Sequence, residues 1–582
     1  MKKIFFIFLF TLIVEASFSQ SFYVDGATGN DNNSGTSLGQ AWQTLQYAFD
    51  NATPGSTVYI KGGTYFENVY PNASGTAGNP ITYRNYQNDT VILDGTGTSQ
   101  VDMLYIEDKS YLIIENITVQ NKVAAYATGI VISATSTGGV KNITLKNIKV
   151  TNISWTSNPN ATPTSNDNSN PILVYGSGTN QANAIKNVLI DSCEVYSNIT
   201  GFSENISLDG NVDSFIVSNN IVHDNKNIGI DMAGNYVASS NPAMDQARNG
   251  HCFQNTCYNN VSNYATSGGI YVDGGKDIII ERNTSYGNGW GIEIGSEENG
   301  STSNIIVRDN VIYNNKEAGL AIGGYTSTTT GQVLNSSVLN NTFLADDYSN
   351  SGVGEIYMTK MSNCKIQNNI FYTNAQNILI SRDNISPFSN NSINYNCWYS
   401  PNNNSNSISV SWGASSYSSF SNYVSATGMD ANSIYADPLL LSTNITSPDF
   451  HLDVSTSPSP CIDIGNPLFI QGNNETDYYG IARVLGMQVD IGANEAIPCI
   501  AVHENENKKI FSVYPNPSSG NFGIDGLNSS SRVVIYNSIG EKIYESIVSN
   551  KQEIKLNIPS GIYFCKIFSE KDFIGTAKLV IR

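Results

Sequence analysis

The sequence predicts an all-β chain, a parallel β-helix followed by a small β-sandwich, and three observations carry that reading. An Asn before a short apolar or aromatic run returns as "ENITVQN" at Asn116, "KNIKVTN" at Asn147, "NNIVHDN" at Asn220, "QNTCYNN" at Asn255 and "RNTSYGN" at Asn283. It continues as "DNVIYNN" at Asn310, "NNTFLAD" at Asn341, "NNIFYTN" at Asn369 and "YNCWYS" at Asn396. Between these marks the chain alternates apolar and polar residues in short runs split by Asn and Gly, with no helical period. Beyond the polar "NENKK" at Asn505–Lys509 the pattern changes to alternating strands with turn punctuation, which defines a separate small β-sandwich.

A single repeat cannot bury its own apolar face, whereas stacked repeats form a continuous core and pair their backbones with the coils above and below. Asn suits the turns because it tolerates the left-handed region and can stack as a ladder. The steps Asn283 to Asn310 and Asn369 to Asn396 are both 27 residues, and longer steps elsewhere mark inserted loops. "DSCEVYSN" at Cys193 keeps the register without the Asn. An array of β-sandwiches would instead need two-residue hairpin turns, and few "NG" or "DG" pairs separate matched strands.

Taken in order, residues 1–20 ("MKKIFFIFLFTLIVEASFSQ") read as a secretory signal peptide, with two lysines, an apolar run and small residues at its end. The apolar run is too short for a membrane span. Residues 21–110 form an N-terminal cap and the first coils: "AWQTLQYAFDNA" places Trp42, Leu45 and Phe49 on one face of a short helix, and "TPGSTVYIKGGTYFENV" reads as turn, strand, turn, strand. Residues 111–400 are the β-helix proper, 401–500 an irregular closing segment, 501–510 a linker and 511–582 the sandwich.

The stretches "YVDGATGNDNNSGTS" and "ATPGSTVYIKGGTY" resemble the opening of secreted right-handed parallel β-helix proteins of the pectate-lyase-like superfamily. That resemblance implies a right-handed solenoid and raises carbohydrate-active chemistry. "ANSIYADPLLL", "SPCIDIGNP" and "YGIARVLGMQVDIGANE" resemble the closing segment of that superfamily, which gives Asp463 and Asp490 a structural role at turn amides. "FSVYPNPSSGNF", "RVVIYNSIGEKIY", "LNIPSGIYFCKI" and "KLVIR" closely resemble the type A C-terminal sorting domain of the type IX secretion system of Bacteroidota. This second resemblance implies passage through the periplasm and outer membrane, a secreted or cell-surface location, and the secretion machinery as a partner. It makes Pro515 and Pro517 features of recognition or folding.

The formal net charge of -19, with only 14% charged residues, excludes the basic footprint that nucleic acid needs. It also repels a polyanionic glycan unless a local Arg/Lys patch or a bridging cation intervenes. A polysaccharide or oligosaccharide is the expected partner and a monomer the expected state. Of the eight cysteines, Cys193, Cys364 and Cys397 fall at apolar strand positions, as small core residues do. Cys252 and Cys257 are close enough to pair, and sequence leaves their connectivity open.

Aligning the strands on their Gly-Ile puts Asp231 of "GIDMAG", Tyr271 of "GIYVDG", Glu293 of "GIEIGS" and Ala321 of "GLAIGG" at one position. With Ile230 and Met232 inward, Asp231 faces out, as do Tyr271, Asp273 and Glu293. "NISLDG" places Ser207 and Asp209 on the same face, in register with Asp231 and Ala233. Asp273 and Glu293 become diagonal neighbours whose carboxyl groups can approach to roughly 5–9 Å, the span of glycosidase acid/base pairs. Gly274, Gly275 and Gly295 beside them suggest space cleared for a ligand.

The long loop between Gly234 and Gly250 adds Asp245, Gln246, Arg248, Asn249 and His251: Arg248 as a clamp for a carboxylate or developing charge, His251 and Asp245 for proton work. His223 and Asp224 lie one coil earlier. The expected catalytic residues are Asp273, Glu293 and Asp231. The expected substrate-binding residues are Asp209, Tyr271, Asp245, Arg248, Asn249, His251 and Glu297.

Three activities fit. Glycoside hydrolysis by a carboxylate pair ranks first. A polysaccharide lyase ranks second, with Arg248, Lys276 or Arg282 beside calcium, although the "DGFxxK"-like arrangement of one pectate lyase family is missing. A non-catalytic glycan-binding surface protein is the third. The sequence requires no cofactor, and Asp209, Asp231, Asp273 and Glu293 supply oxygens of the kind calcium takes.

Overall fold

The computed structural model describes residues 20–135, 137–324, 330–402, 405–455, 457–472, 474–497, 511–527, 530–537, 541–569 and 572–582. The signal peptide up to residue 19 and the linker at 501–510 lie outside the described residues. The chain divides into two units, Met1–Pro498 and Cys499–Arg582. No helix among the described residues is long and apolar enough to cross a membrane.

The first unit is a parallel β-helix. Each full coil contributes one strand to each of three sheets of 16, 13 and 12 strands, and neighbours within a sheet come from successive coils. One coil runs Lys141–Lys146, Lys149–Ser154 and Ser169–Gly176, in the 16-, 13- and 12-stranded sheets respectively. Inward residues such as Ile143, Val150 and Val174 form one continuous core that reaches from Phe22 to Tyr423. The cap helix spans Leu45–Asn51 and buries Leu45 and Phe49, with Trp42 in the same core just before it. A second helix, Phe420–Thr427, was not expected from the Ser- and Asn-rich sequence; Phe420 and Tyr423 bury it against the last coils.

The repeated Asn forms a buried ladder. Asn220 Nδ2 donates to Asn255 Oδ1 (2.9 Å), and the bonds continue through Asn283, Asn310, Asn341, Asn369 and Asn396. Each Nδ2 also donates to a backbone carbonyl, as Asn283 does to Cys252 O, so the turn leaves no amide unsatisfied. Five residues on, a second ladder joins Asn198, Asn225, Asn260, Asn288 and Asn315 and ends on Asp346. The ladder residues are not themselves left-handed; the residues before them are, at Asn219, Gln254, Arg282 and Asp309. Asn116 and Asn147 differ from the sequence alignment by one position. They are left-handed and stack with each other in an exposed pair (2.7 Å), and Ile117, Ile148 and Cys193 precede Asn220 at the ladder position.

Cys252 and Cys257 are free thiols buried in the core. They sit on strands of two different sheets, so alternation turns both inward without setting them in a bridge. The closing segment is fixed by carboxylates at turn amides. Asp490 accepts from Asp463 N (2.7 Å) and Ala496 N (2.6 Å), and Asp463 accepts from Met487 N (2.7 Å). Arg308 joins Glu281 (2.7 Å) to Glu475 (2.9 Å).

The second unit contains antiparallel sheets of three and four strands around a core that includes Phe522, Ile535, Cys565 and Leu579.

Candidate active site

The 12-stranded sheet carries the expected outer row. Its pairings run Ser207 to Asp231, Asp231 to Tyr271, Tyr271 to Glu293, Glu293 to Ala321 and Ala321 to Tyr357. Ile230, Ile270, Val272, Ile292 and Ile294 are core residues, so the intervening side chains face outward. Asp273 pairs with Gly295, two residues along the strand from the Tyr271–Glu293 pair, which makes it the diagonal neighbour of Glu293.

The acids of this row do not all reach solvent. A cleft of about 240 Å³ is lined by Tyr271, Trp290, Glu293, Glu297, Ala321 and Tyr357 among others. Asp231 and Asp273 are each only 3% exposed and do not line it. Asp273 lies beneath a cover: the Tyr236 hydroxyl donates a short hydrogen bond to its Oδ2, and the Glu297 amide donates to its Oδ1 (2.8 Å). Among the described residues, Asp231 Oδ1 is buried with no hydrogen-bond partner.

This is a crowd of carboxylates. Burial raises Glu293 well above the usual range, and Glu297 and Asp273 raise it further. Asp273 is raised by burial and Glu297, and Asp231 by burial, Glu204 and Asp273. Glu204, just before the strand Ile206–Gly210, is pushed up to about 8 by burial and Asp209. Asp209 rises to about 6 by burial and Asp245. Glu297, exposed at the cleft, is raised by partial desolvation and Glu298, while Tyr236 holds it down. Among the described residues no ion pair reaches Glu204, Asp231, Asp273, Glu293 or Glu297. Nor do any three His, Cys, Asp or Glu side chains converge as a cation-binding group.

The long loop stands beside the row but works differently from expectation. Asp245 is spent on the loop itself, accepting from Val237 N (2.7 Å) and Ser239 N (2.8 Å). Arg248 is 4% exposed and belongs to the 16-stranded sheet, where it donates to Asn211 Oδ1 (2.8 Å) and faces Asp213 (3.6 Å). Asn249 donates to Asp213 (2.7 Å), and His251 meets Glu281 (3.0 Å) on that same sheet. Lys276 lies on it too, and Arg282 follows it beside Glu281 (3.1 Å). His223 is stacked between Tyr196 and Tyr258 in the 13-stranded sheet. None of these lines the cleft: Arg248, Asn249, His251 and Lys276 lie on the 16-stranded sheet, past the corner after Gly234, and His223 lies on the 13-stranded sheet.

The glycines are likewise structural. A Cβ at Gly274 would meet Gly234 O at 2.3 Å, at Gly275 Met232 O at 2.9 Å, and at Gly295 Gly323 O at 2.6 Å. Their space is filled by neighbouring backbone.

Sequence reasoning missed Tyr236, Glu204, Trp290 and Tyr357. Trp290 stacks on Tyr357 with ring centroids 5.6 Å apart, and the Tyr357 hydroxyl donates to Asp383 (2.7 Å).

The fold and this cleft define a parallel β-helix with buried and half-buried acids on the outer face of one sheet. The chain belongs to the same family as Uncharacterized protein YwoF of Bacillus subtilis (strain 168). The two are 34% identical over 450 residues, 75% of this chain and 91% of that one. Pectate lyase PEL9 of Emericella nidulans is 37% identical over 91 residues, 15% of this chain and 22% of that one. Among solved structures, pectate lyase Pel9A is similar at 15% identity and a TM-score of 0.43, covering 83% of this chain and 97% of that one. Residues 512–582 match the Secretion system C-terminal sorting domain. That domain marks the chain for type IX export to the cell surface or the medium.

Proposed function

We propose that the solenoid cleaves a glycan by glycoside hydrolysis in the cleft at Glu293 and Glu297. The carrying observation is that, among the described residues, these two glutamates are the charged residues lining the cleft, and their surroundings differ. Glu293 is desolvated and faces Glu297 and Asp273, so it holds its proton more tightly than an ordinary carboxyl and is placed to give it to the departing glycosidic oxygen. Glu297 is the more exposed, and the Tyr236 hydroxyl favours its charged form, so it supplies the carboxylate that attacks the anomeric carbon or takes a proton from water. Asp273 is reassigned: it anchors Tyr236 and the Glu297 amide and raises Glu293 by like charge. Asp231 and Glu204 deepen the same field.

A second reading, β-elimination, is favoured by the 91-residue match to pectate lyase PEL9. Purified protein is to be assayed on a glycan panel with and without chelator. Hydrolysis gives reducing ends without ultraviolet-absorbing product, and Glu293→Gln and Glu297→Gln each lower turnover by about a thousandfold or more with the fold retained. An unsaturated, chelator-sensitive product would favour the lyase, and near-normal turnover in both variants would end the hydrolase reading.

A further inference from the structure

Glu293 and Tyr357 occupy the same outer row two coils apart, with Ala321 between them. At the usual strand spacing this separates them by about 10 Å. Small Ala321 leaves the floor between them low, and Trp290 and Tyr357 form an aromatic end wall. Both rings line the cleft, and with Ala318, Ala321 and Val353 they make an apolar cluster on the outer face, separate from the solenoid core. Tyr357 is fixed at both ends: its ring stacks on Trp290 and its hydroxyl is bonded to Asp383. An aromatic pair held at the edge of a polar, acid-lined cleft fits a ligand with one apolar face and a hydroxylated rim, which a pyranose ring has.

Charge narrows the class further. Among the described residues, the cleft lining contains Glu293 and Glu297 and neither Lys, Arg nor His. Glu317, beside Thr266 at the rim, adds to the field on Glu293. A uronate placed here would meet the Glu297 carboxylate, with no cation among the described lining residues to answer it, a cost of the kind that excludes partners. We propose that Trp290, on the strand of Glu293, and Tyr357, two coils further on, form a subsite for a neutral pyranose ring and so set a preference for neutral glycans. The proposal rests on the cleft reading above, and its test does not need turnover.

The full chain carrying Glu293→Gln is titrated by calorimetry with cellohexaose, xylohexaose, mannohexaose and an oligogalacturonate. At least one neutral oligosaccharide is expected to bind, and the oligogalacturonate to bind at least tenfold more weakly. Adding Tyr357→Ala should weaken neutral binding by about tenfold, the loss expected for one stacked ring. Tyr357→Phe, which keeps the ring, should stay within about threefold of the parent. The proposal is overturned if no neutral oligosaccharide binds, if the oligogalacturonate binds as tightly, or if Tyr357→Ala folds and binds unchanged. Failure of the hydrolase reading looks different: neutral oligosaccharides bind with the expected Tyr357 dependence, yet the wild-type chain releases no reducing ends from them.

Discussion

Tyr236 and Glu293 reach the same carboxylate cluster by different routes, and only one of them can be read from sequence. Glu293 follows from the period of two along a strand once its Gly-Ile is aligned with those of neighbouring coils. Tyr236 lies in an insertion where no repeat assigns a direction. Its placement depends on Asp245 holding Val237 N and Ser239 N, and on Val237 adopting φ 63°, a strained conformation for a β-branched residue. Arg248 and His251 share that insertion in the sequence but lie past the corner, on another sheet. The Tyr236 hydroxyl favours the ionised forms of Asp273 and Glu297, within a field that also includes Glu204, Asp231, Tyr271, Glu293 and Glu298. Removing that donor makes Glu297 harder to ionise. If Glu297 acts as the carboxylate, Tyr236→Phe should move the acid limb of kcat/KM upward by about one pH unit, with thermal stability little changed. A profile with an unmoved limb would assign Tyr236 to loop structure alone.

At the level of the element, the Asn ladders explain both why the fold was legible and where the reading slipped. Asn220, Asn255, Asn283 and Asn310 each recur with a second Asn five residues later, a pattern that exists because each amide closes a buried turn in two directions. Outer Asn residues such as Asn116 satisfy left-handed turns one position earlier, so they mimic the ladder in sequence. The second ladder ends on Asp346, whose Oδ1 accepts from Asn315 N and Nδ2 (both 2.8 Å) and whose amide meets Glu355 (3.2 Å). Burial and these contacts leave Asp346 at about 7, and burial and Asp346 raise Glu355 well above its usual range. An acid raised in the folded state favours folding most below its unfolded pKa, and that contribution fades as pH climbs to the folded value. For Asp346 this window runs from about pH 4 to about pH 7. Asp346→Asn keeps the acceptor for Asn315 and removes the ionisation. It should stabilise the chain by about 1–2 kcal/mol at pH 8 and little at pH 4, read from urea midpoints at the two pH values.

Across the whole molecule, the solenoid carries its own closure and the sorting domain its own core. Ile491, Ala493 and Ala496 pack with Leu344, Ile370 and Cys397 in a cluster separate from the solenoid core, so this outer face of the 13-stranded sheet is sealed before residue 497. Arg483, wholly buried, donates to Asp490 O (3.1 Å) and Gly492 O (3.0 Å) and faces Asp309 (3.5 Å), which ties that seal to an internal coil. Phe522, Val533, Ile567 and Leu579 form a separate cluster in the second unit. Unit boundaries of this kind fall where few contacts cross, and each side can fold alone. A chain ending at Glu506 should therefore melt at the temperature of the solenoid in the full chain and keep the glycan binding proposed above. In the native host it should accumulate inside the outer membrane, because residues 512–582 are the sorting domain. A melting temperature lowered by more than a few degrees would make the C-terminal unit part of the solenoid's stability, and a truncated chain that still reached the medium would remove its role as the export signal.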